Sequence, residues 1–156
     1  MPRKTACAVM QPATASVCWK MTALIDLSLA RCKRGACANA IPDLQQALRV
    51  AHANYTANSV PVGFLDFLLG YAYWKSGKES SAAELMKIGI SEMASQLGRG
   101  HPTYIAALKQ YDSFLTQNGT TAEAAEVGER IANLERSRAA AHSEADHSSF
   151  DLNLLR

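Results

Sequence analysis

The chain has 156 residues, of which 48% are hydrophobic and 19% are charged, and this composition is typical of a folded globular chain rather than a disordered one. Sixteen basic and fourteen acidic residues leave a net charge of only +2, which is too small to indicate binding to nucleic acid or to an anionic membrane. No apolar stretch approaches the ~20 residues that a membrane-spanning helix needs, so no membrane segment is expected.

The N-terminal residues 1–12 are predicted to be a disordered leader. Their basic start and short apolar stretch loosely resemble a secretion signal, but Gln11 and Pro12 interrupt the apolar stretch. A cytoplasmic location is therefore expected, with secretion as the alternative.

Four cysteines lie in the first quarter of the chain, at positions 7, 18, 32 and 37. Their spacings match neither a metal-binding motif nor a C-x-x-C redox motif. Cys32 and Cys37 flank a predicted turn and would be able to meet there. The favoured interpretation is nevertheless reduced thiols that pack as small apolar residues.

Three positions recur in register with a spacing of 42 residues. Each copy has a glycine, an alanine five residues after it and a large apolar residue eight residues before it: Leu27, Gly35 and Ala40; Leu69, Gly77 and Ala82; Tyr111, Gly119 and Ala124. Each glycine ends one amphipathic stretch and precedes another, and glycine readily adopts the left-handed conformation in which helices often end. Each unit is therefore predicted to be a helix–turn–helix hairpin with the alanine buried between its helices.

The first copy departs from this pattern at two positions. Arg31 stands where the later copies have Tyr73 and Leu115, and Pro42 falls inside the expected second helix. Proline fits there only if that helix starts late, with Asn39 as its cap.

The repeat resembles the tetratricopeptide repeat, in the 42-residue form found in kinesin light chains. The resemblance covers roughly residues 20–140 and is strongest in the second and third copies, where His101 and Pro102 open a helix as a cap and a first-turn residue. It implies an all-α fold, a right-handed superhelical array of three antiparallel helix hairpins. The repeat domain is expected at residues 13–141, with repeats at about 20–61, 62–103 and 104–141, followed by a C-terminal tail at 142–156.

Catalytic motifs are missing from the sequence, which has no phosphate-binding loop, nucleophile elbow or H-E-x-x-H. We therefore expect no enzyme activity, no cofactor and no metal site. The ligand-like residues His142, Glu144, Asp146 and His147 are interpreted as a solvated tail, because metal sites need a rigid frame.

An aromatic stripe follows one helix at spacings i, i+3, i+7 and i+10. In tetratricopeptide domains the first helix of each pair lines a concave groove. Carried over position by position, the resemblance implies these groove residues: Lys33 from the first copy, Phe64, Phe67, Tyr71, Trp74 and Lys75 from the second, and Lys109, Ser113 and Gln117 from the third. The other interpretation is that the stripe belongs to the core, and the sequence leaves both open.

The leading functional hypothesis is a protein–protein interaction module that binds a peptide segment of a partner on the concave face, with Lys33, Lys75 and Lys109 orienting acidic groups. The alternative is a structural or oligomerisation scaffold, or a fragment of a longer solenoid, that self-associates through the aromatic stripe. A homo-oligomer, as a two-fold dimer, is expected because three repeats with an irregular first one leave apolar area uncovered, and a tightly held partner segment is the alternative.

Overall fold

A computed structural model describes residues 12–151 of the protein, and the side chains of residues 15–141. The predicted leader therefore lies outside the described residues except for Pro12, and the last five residues of the predicted tail lie outside them as well.

The described chain is a succession of α-helices joined by short turns, and residues 12–151 contain no β-strand. The helices are α1 Pro12–Lys33, α2 Ile41–Asn54, α3 Val60–Lys75, α4 Glu79–Leu97, α5 Pro102–Gln117 and α6 Thr121–Asp151, with a short 3-10 helix at Cys37–Ala40 before α2. The chain divides between Gln96 and Leu97 into two compact units. The first unit contains the hairpins α1–α2 and α3–α4, and the second contains α5–α6. The all-α prediction is confirmed, and α6 carries the helix into the predicted tail. Among residues 12–151, none of the helices combines the length and the hydropathy that a membrane span requires.

The three hairpin turns share one backbone geometry. Their glycines have positive φ angles of 78° at Gly35, 77° at Gly77 and 74° at Gly119, a region that costs other residues energy. The residue after each glycine donates its N–H to the carbonyl oxygen four residues before the glycine: Ala36 to Arg31 (3.0 Å), Lys78 to Tyr73 (2.9 Å) and Thr120 to Leu115 (3.1 Å). These bonds satisfy carbonyls that the helix end leaves open. The predicted turns are confirmed, and the 42-residue period extends to their hydrogen bonds.

Helices α3 and α4 pack closely through glycines. A Cβ atom added at Gly89 would lie 2.4 Å from the carbonyl oxygen of Gly63, and one added at Gly70 would lie 2.8 Å from Cγ of Met86. At Gly63 the space beside the backbone is filled by Glu92, whose Cβ would be 2.7 Å away from an added Cβ. Gly63 lies against Glu92, and the later residue Gly70 lies against the earlier residue Met86. The two helices of this hairpin are therefore antiparallel.

The small-residue column is buried as predicted, since Ala40, Ala82 and Ala124 all belong to the core. The large apolar column is buried at Leu69 and Tyr111 but not at Leu27, which is 41% exposed. Ser28 is buried beside it, and its hydroxyl donates to the carbonyl oxygen of Leu24 at 2.7 Å.

The irregular first copy is accommodated by polar contacts of Arg31. Helix α2 starts late, with Pro42 in its first turn, as predicted. Asn39 is not its cap, however: Ala40 precedes the helix without a side-chain cap bond. The guanidinium of Arg31 donates to the carbonyl oxygen of Asn39 at 2.7 Å and pairs with Asp43. The column that holds Tyr73 and Leu115 in the later copies therefore holds an ion pair here.

The expectation of reduced cysteines is wrong for the described residues. Cys32 and Cys37 form a disulfide with their Cα atoms 4.1 Å apart, and Cys18 is also disulfide-bonded. The physical reason is the turn at Gly35, which brings the last turn of α1 against the 3-10 helix that begins at Cys37.

Candidate partner-binding surface

The aromatic stripe of α3 is only partly accessible. Phe67 and Trp74 are buried, with exposed fractions of 4% and 7%, whereas Phe64 and Tyr71 are half-buried. The backbone and Cβ of Phe67 lie against Gly89 of α4. Phe67 and Trp74 are therefore core residues, and only Phe64 and Tyr71 of the stripe contribute to the surface.

Lys75 and two aromatic rings form a compact group at the C-terminal end of α3. The Nζ atom of Lys75 lies 3.6 Å from the centroid of the Trp74 ring and 5.6 Å from that of Tyr71. The two rings meet edge to face, with centroids 5.7 Å apart and planes at 83°. An ammonium group over an aromatic face is attracted by the ring quadrupole. Lys75 is therefore held in place while its side chain remains exposed.

Tyr71 faces the first hairpin on one side. A gap of about 10 Å³, roughly the space of one water molecule, lies beneath it and is lined by Ser28, Leu29, Cys32, Leu44, Leu68 and Tyr71 itself. The ring thus lies against α1 and α2 on one side, so only its outer side is available to a partner.

A basic edge, which we define as Lys33, Arg34, Lys75 and Lys78, lies at the C-terminal ends of α1 and α3. Helices α2 and α3 are antiparallel. Gln45 of α2 is hydrogen-bonded to Tyr73 near the end of α3 at 3.2 Å, and the later residue His52 interacts electrostatically with the earlier residue Asp66. Helix α1 is antiparallel to α2 as well, since one depression is lined both by Ser16 near the start of α1 and by Asn54 at the end of α2. The ends of α1 and α3 therefore point the same way.

The four side chains of the basic edge are exposed. No acidic side chain of the described residues forms an ion pair with them. Lys78 in addition lies 5.4 Å from the ring centroid of Tyr73. Only Lys33 and Lys75 of this edge were predicted as groove residues from the sequence. Arg34 and Lys78 could have been found from their positions next to the turn glycines Gly35 and Gly77.

The predicted groove residues of the second unit have a different environment. Lys109, Ser113 and Gln117 are placed on α5, where Lys109 is exposed and pairs with a carboxylate oxygen of Glu135 on α6 at 2.5 Å. The hydroxyl of Ser113 donates to the carbonyl oxygen of Lys109 at 3.0 Å. Lys109 is therefore already paired within its own unit.

The cap predicted at the start of α5 is confirmed. The Nδ1 atom of His101 accepts a hydrogen bond from the N–H of Thr103 at 3.2 Å, and Pro102 occupies the first turn of the helix. His101 therefore has a structural role as the cap of α5.

Comparison with known proteins rests on structure alone. No protein-family model matches the chain, and no curated protein matches it. Among solved structures, a protein of Podosopora anserina described as a putative kinesin light chain with nearly identical TPR-like repeats superposes with a TM-score of 0.66 at 20% identity. The match covers 74% of this chain and 55% of that one. A second structure, of a single-substitution variant of the same protein, gives the same score and identity and is covered over 54% of its length.

This chain has a TPR-like helical repeat fold. At 20% identity the likeness establishes the fold and nothing finer, and the chain spans about half the length of the structures that it matches. Within the TPR-like frame, the residues that the resemblance assigned to the groove are found in both units. The first unit supplies the aromatic rings and two lysines that have no acidic partner among the described side chains, and the second supplies a lysine that is already paired.

Proposed function

We propose that this protein is an interaction module and binds an acidic peptide segment of a partner protein. The basic edge and the outer side of Tyr71 would form the contact surface in the first unit. The observation that carries the proposal is Lys75, which is exposed, has no acidic partner among the described residues and is held 3.6 Å from the Trp74 ring centroid.

The physical argument combines charge with preorganisation. A partner carboxylate approaching Lys75 meets an ammonium whose position is already restricted by two rings, so less side-chain entropy is lost on binding. Lys33, Arg34 and Lys78 add positive charge on the same edge and attract acidic segments at low ionic strength. Basic side chains at helix C-termini also stabilise the helix dipole, but that role does not require the contact between Lys75 and Trp74. No catalytic residue is part of the proposal.

The test selects ligands from a random peptide library on the full-length protein and measures the affinity of the selected peptides. Acidic residues should be enriched, and the affinity should fall as salt is raised. Lys75→Glu should weaken binding by about tenfold or more, because a like charge replaces the attractive one.

Lys87→Glu is the matched control, since it makes the same charge change at an exposed position of α4. It should bind as the unmodified protein does. Selected peptides without an acidic excess, or equal binding by the Lys75 and Lys87 variants, would contradict the proposal.

The alternative, self-association through the aromatic stripe, has less support because Phe67 and Trp74 are buried within the chain. The exposed large apolar side chains lie elsewhere, at Trp19 and Leu27 of α1 and Ile88 of α4. A scaffold role would therefore use α1 rather than the stripe.

A further inference from the structure

A buried carboxylate lies on α3, where the helix packs between α2 and α4. Asp66 is only 8% exposed and has core neighbours on both sides in the chain, Leu65 and Phe67. Burial disfavours the charged form of a carboxylate, so the environment of Asp66 favours its protonated form.

A second carboxylate lies beside Asp66 on the same face of α3. The Oε2 atom of Glu92, from α4, is buried and has no hydrogen-bond partner among the described residues. It occupies space above Gly63, where an added Cβ would come within 2.8 Å of it. Gly63 precedes Asp66 by three residues, which places both on one side of the helix. The glycine therefore makes room for the Glu92 side chain.

Protonation changes what the two carboxyl groups can do. Carboxylates only accept hydrogen bonds, whereas a protonated carboxyl group can also donate one. One added proton would therefore give the pair a donor and remove a negative charge from it.

The charged neighbours of Asp66 come from two helices. His52 of α2 interacts electrostatically with Asp66, and Asp66 interacts in the same way with Glu92 of α4. Helix α3 itself carries one other charged side chain, Lys75, at its C-terminal end. Burial raises the pKa of Asp66, and the positive charge of His52 opposes this rise. Burial also raises the pKa of Glu92, the charge of Asp66 raises it further, and His52 again opposes.

We propose that Asp66 and Glu92 form a proton-binding pair within the second hairpin, between α3 and α4, and that its protonation sets the stability of the first unit. The pair releases its protons as the pH rises through the raised pKa values, which leaves two like charges where α3 and α4 meet, one on buried Asp66 and one on half-buried Glu92. The first unit is consequently more stable below these pKa values than above them.

The direction of the effect follows from proton linkage. Because the pKa values of Asp66 and Glu92 are raised in the folded state, the folded protein holds protons that the unfolded chain has already released. The stabilisation is complete below the unfolded pKa values and is lost as the pH rises through the folded ones. For each proton held, the unfolding equilibrium constant grows by up to about tenfold per pH unit in this window.

The experiment follows urea unfolding of the full chain by tryptophan fluorescence between about pH 4.5 and pH 8. Both tryptophans, Trp19 and Trp74, belong to the first unit, so the signal reports on that unit. The unmodified protein should lose stability as the pH rises. Asp66→Asn and Glu92→Gln should weaken this pH dependence and raise the urea midpoint near neutral pH.

Two further variants separate the pair from general charge effects. Glu84→Gln changes an exposed carboxylate of the same helix as Glu92 and should leave the pH dependence parallel to that of the unmodified protein. His52→Gln removes the opposing charge and should shift the loss of stability to higher pH. An unchanged pH dependence in Asp66→Asn, or a lower midpoint of that variant near neutral pH, would overturn the proposal.

Direct titration of the unmodified protein covers the case in which a variant does not fold. The carboxyl carbon signals of Asp66 and Glu92 in NMR spectra should titrate at higher pH than the ordinary ranges of aspartate and glutamate side chains. If both titrate within those ordinary ranges, the pair does not hold protons and the proposal fails.

Discussion

At the scale of single residues, this chain uses glycine for two different purposes. Gly35, Gly77 and Gly119 supply the positive φ angles of the turns. Inside the helices, Gly89 supplies close approach, because an added Cβ would lie 2.4 Å from the backbone of Gly63. Gly128 on α6 has neither use: the nearest atom to an added Cβ is Oδ1 of Asp112 at 4.0 Å. The same substitution should therefore have opposite effects at these two helical positions.

Gly89→Ala should lower the free energy of unfolding by about 2–3 kcal/mol, since backbone atoms of α3 must move to admit the methyl group. Gly128→Ala should raise it by up to about 1 kcal/mol, because alanine is the better helix former and the space is free. Urea denaturation followed by circular dichroism measures both. Equal effects of the two substitutions would show that the close packing of α3 on α4 is absent in solution.

At the scale of elements, each hairpin depends on a small residue where its two helices meet. Ala82 is fully buried, and its carbonyl oxygen lies 3.0 Å from where a Cβ at Gly70 would be. Ala124 takes the same position in α6 and is 9% exposed. Ala82→Leu and Ala124→Leu should each cost ~1–3 kcal/mol through overpacking. Ala125→Leu adds the same side chain at the exposed neighbouring position and should stay within about 0.5 kcal/mol. Unchanged denaturation midpoints for both buried variants would mean that the 42-residue alignment is wrong.

At the scale of the whole molecule, uncovered apolar side chains lead us to expect self-association. Trp19 and Leu27 are each 41% exposed and are eight residues apart on α1, with exposed Ala23 between them, so they share one side of the helix. Sedimentation at micromolar concentration should show a species heavier than the 16.8 kDa monomer. Replacing both Trp19 and Leu27 with serine should restore the monomer, whereas Ile88→Ser on α4 should not. A protein that remains monomeric at all concentrations would contradict this expectation.

The sequence by itself determined the fold class, the hairpin turns and the buried alanines. These features are local: a glycine with a positive φ angle and an alanine between two helices repeat with the 42-residue period, and the period is visible in the chain. The cap at His101 and the late start of α2 before Pro42 followed from local backbone chemistry in the same way.

Only the tertiary structure decided which side chains are covered. Periodicity identified the stripe of α3 as one helix face, but the burial of Phe67 depends on α4, whose glycine at position 89 lets the two helices touch. Leu27 occupies the same repeat position as Leu69 and Tyr111, which are buried, but its side chain is exposed. Burial depends on a neighbouring helix and not on the residue's position in the repeat. Asp66 and Glu92 are separated by 26 residues in the chain, so no sequence period joins them, and only the packing of α3 on α4 brings the two carboxylates together.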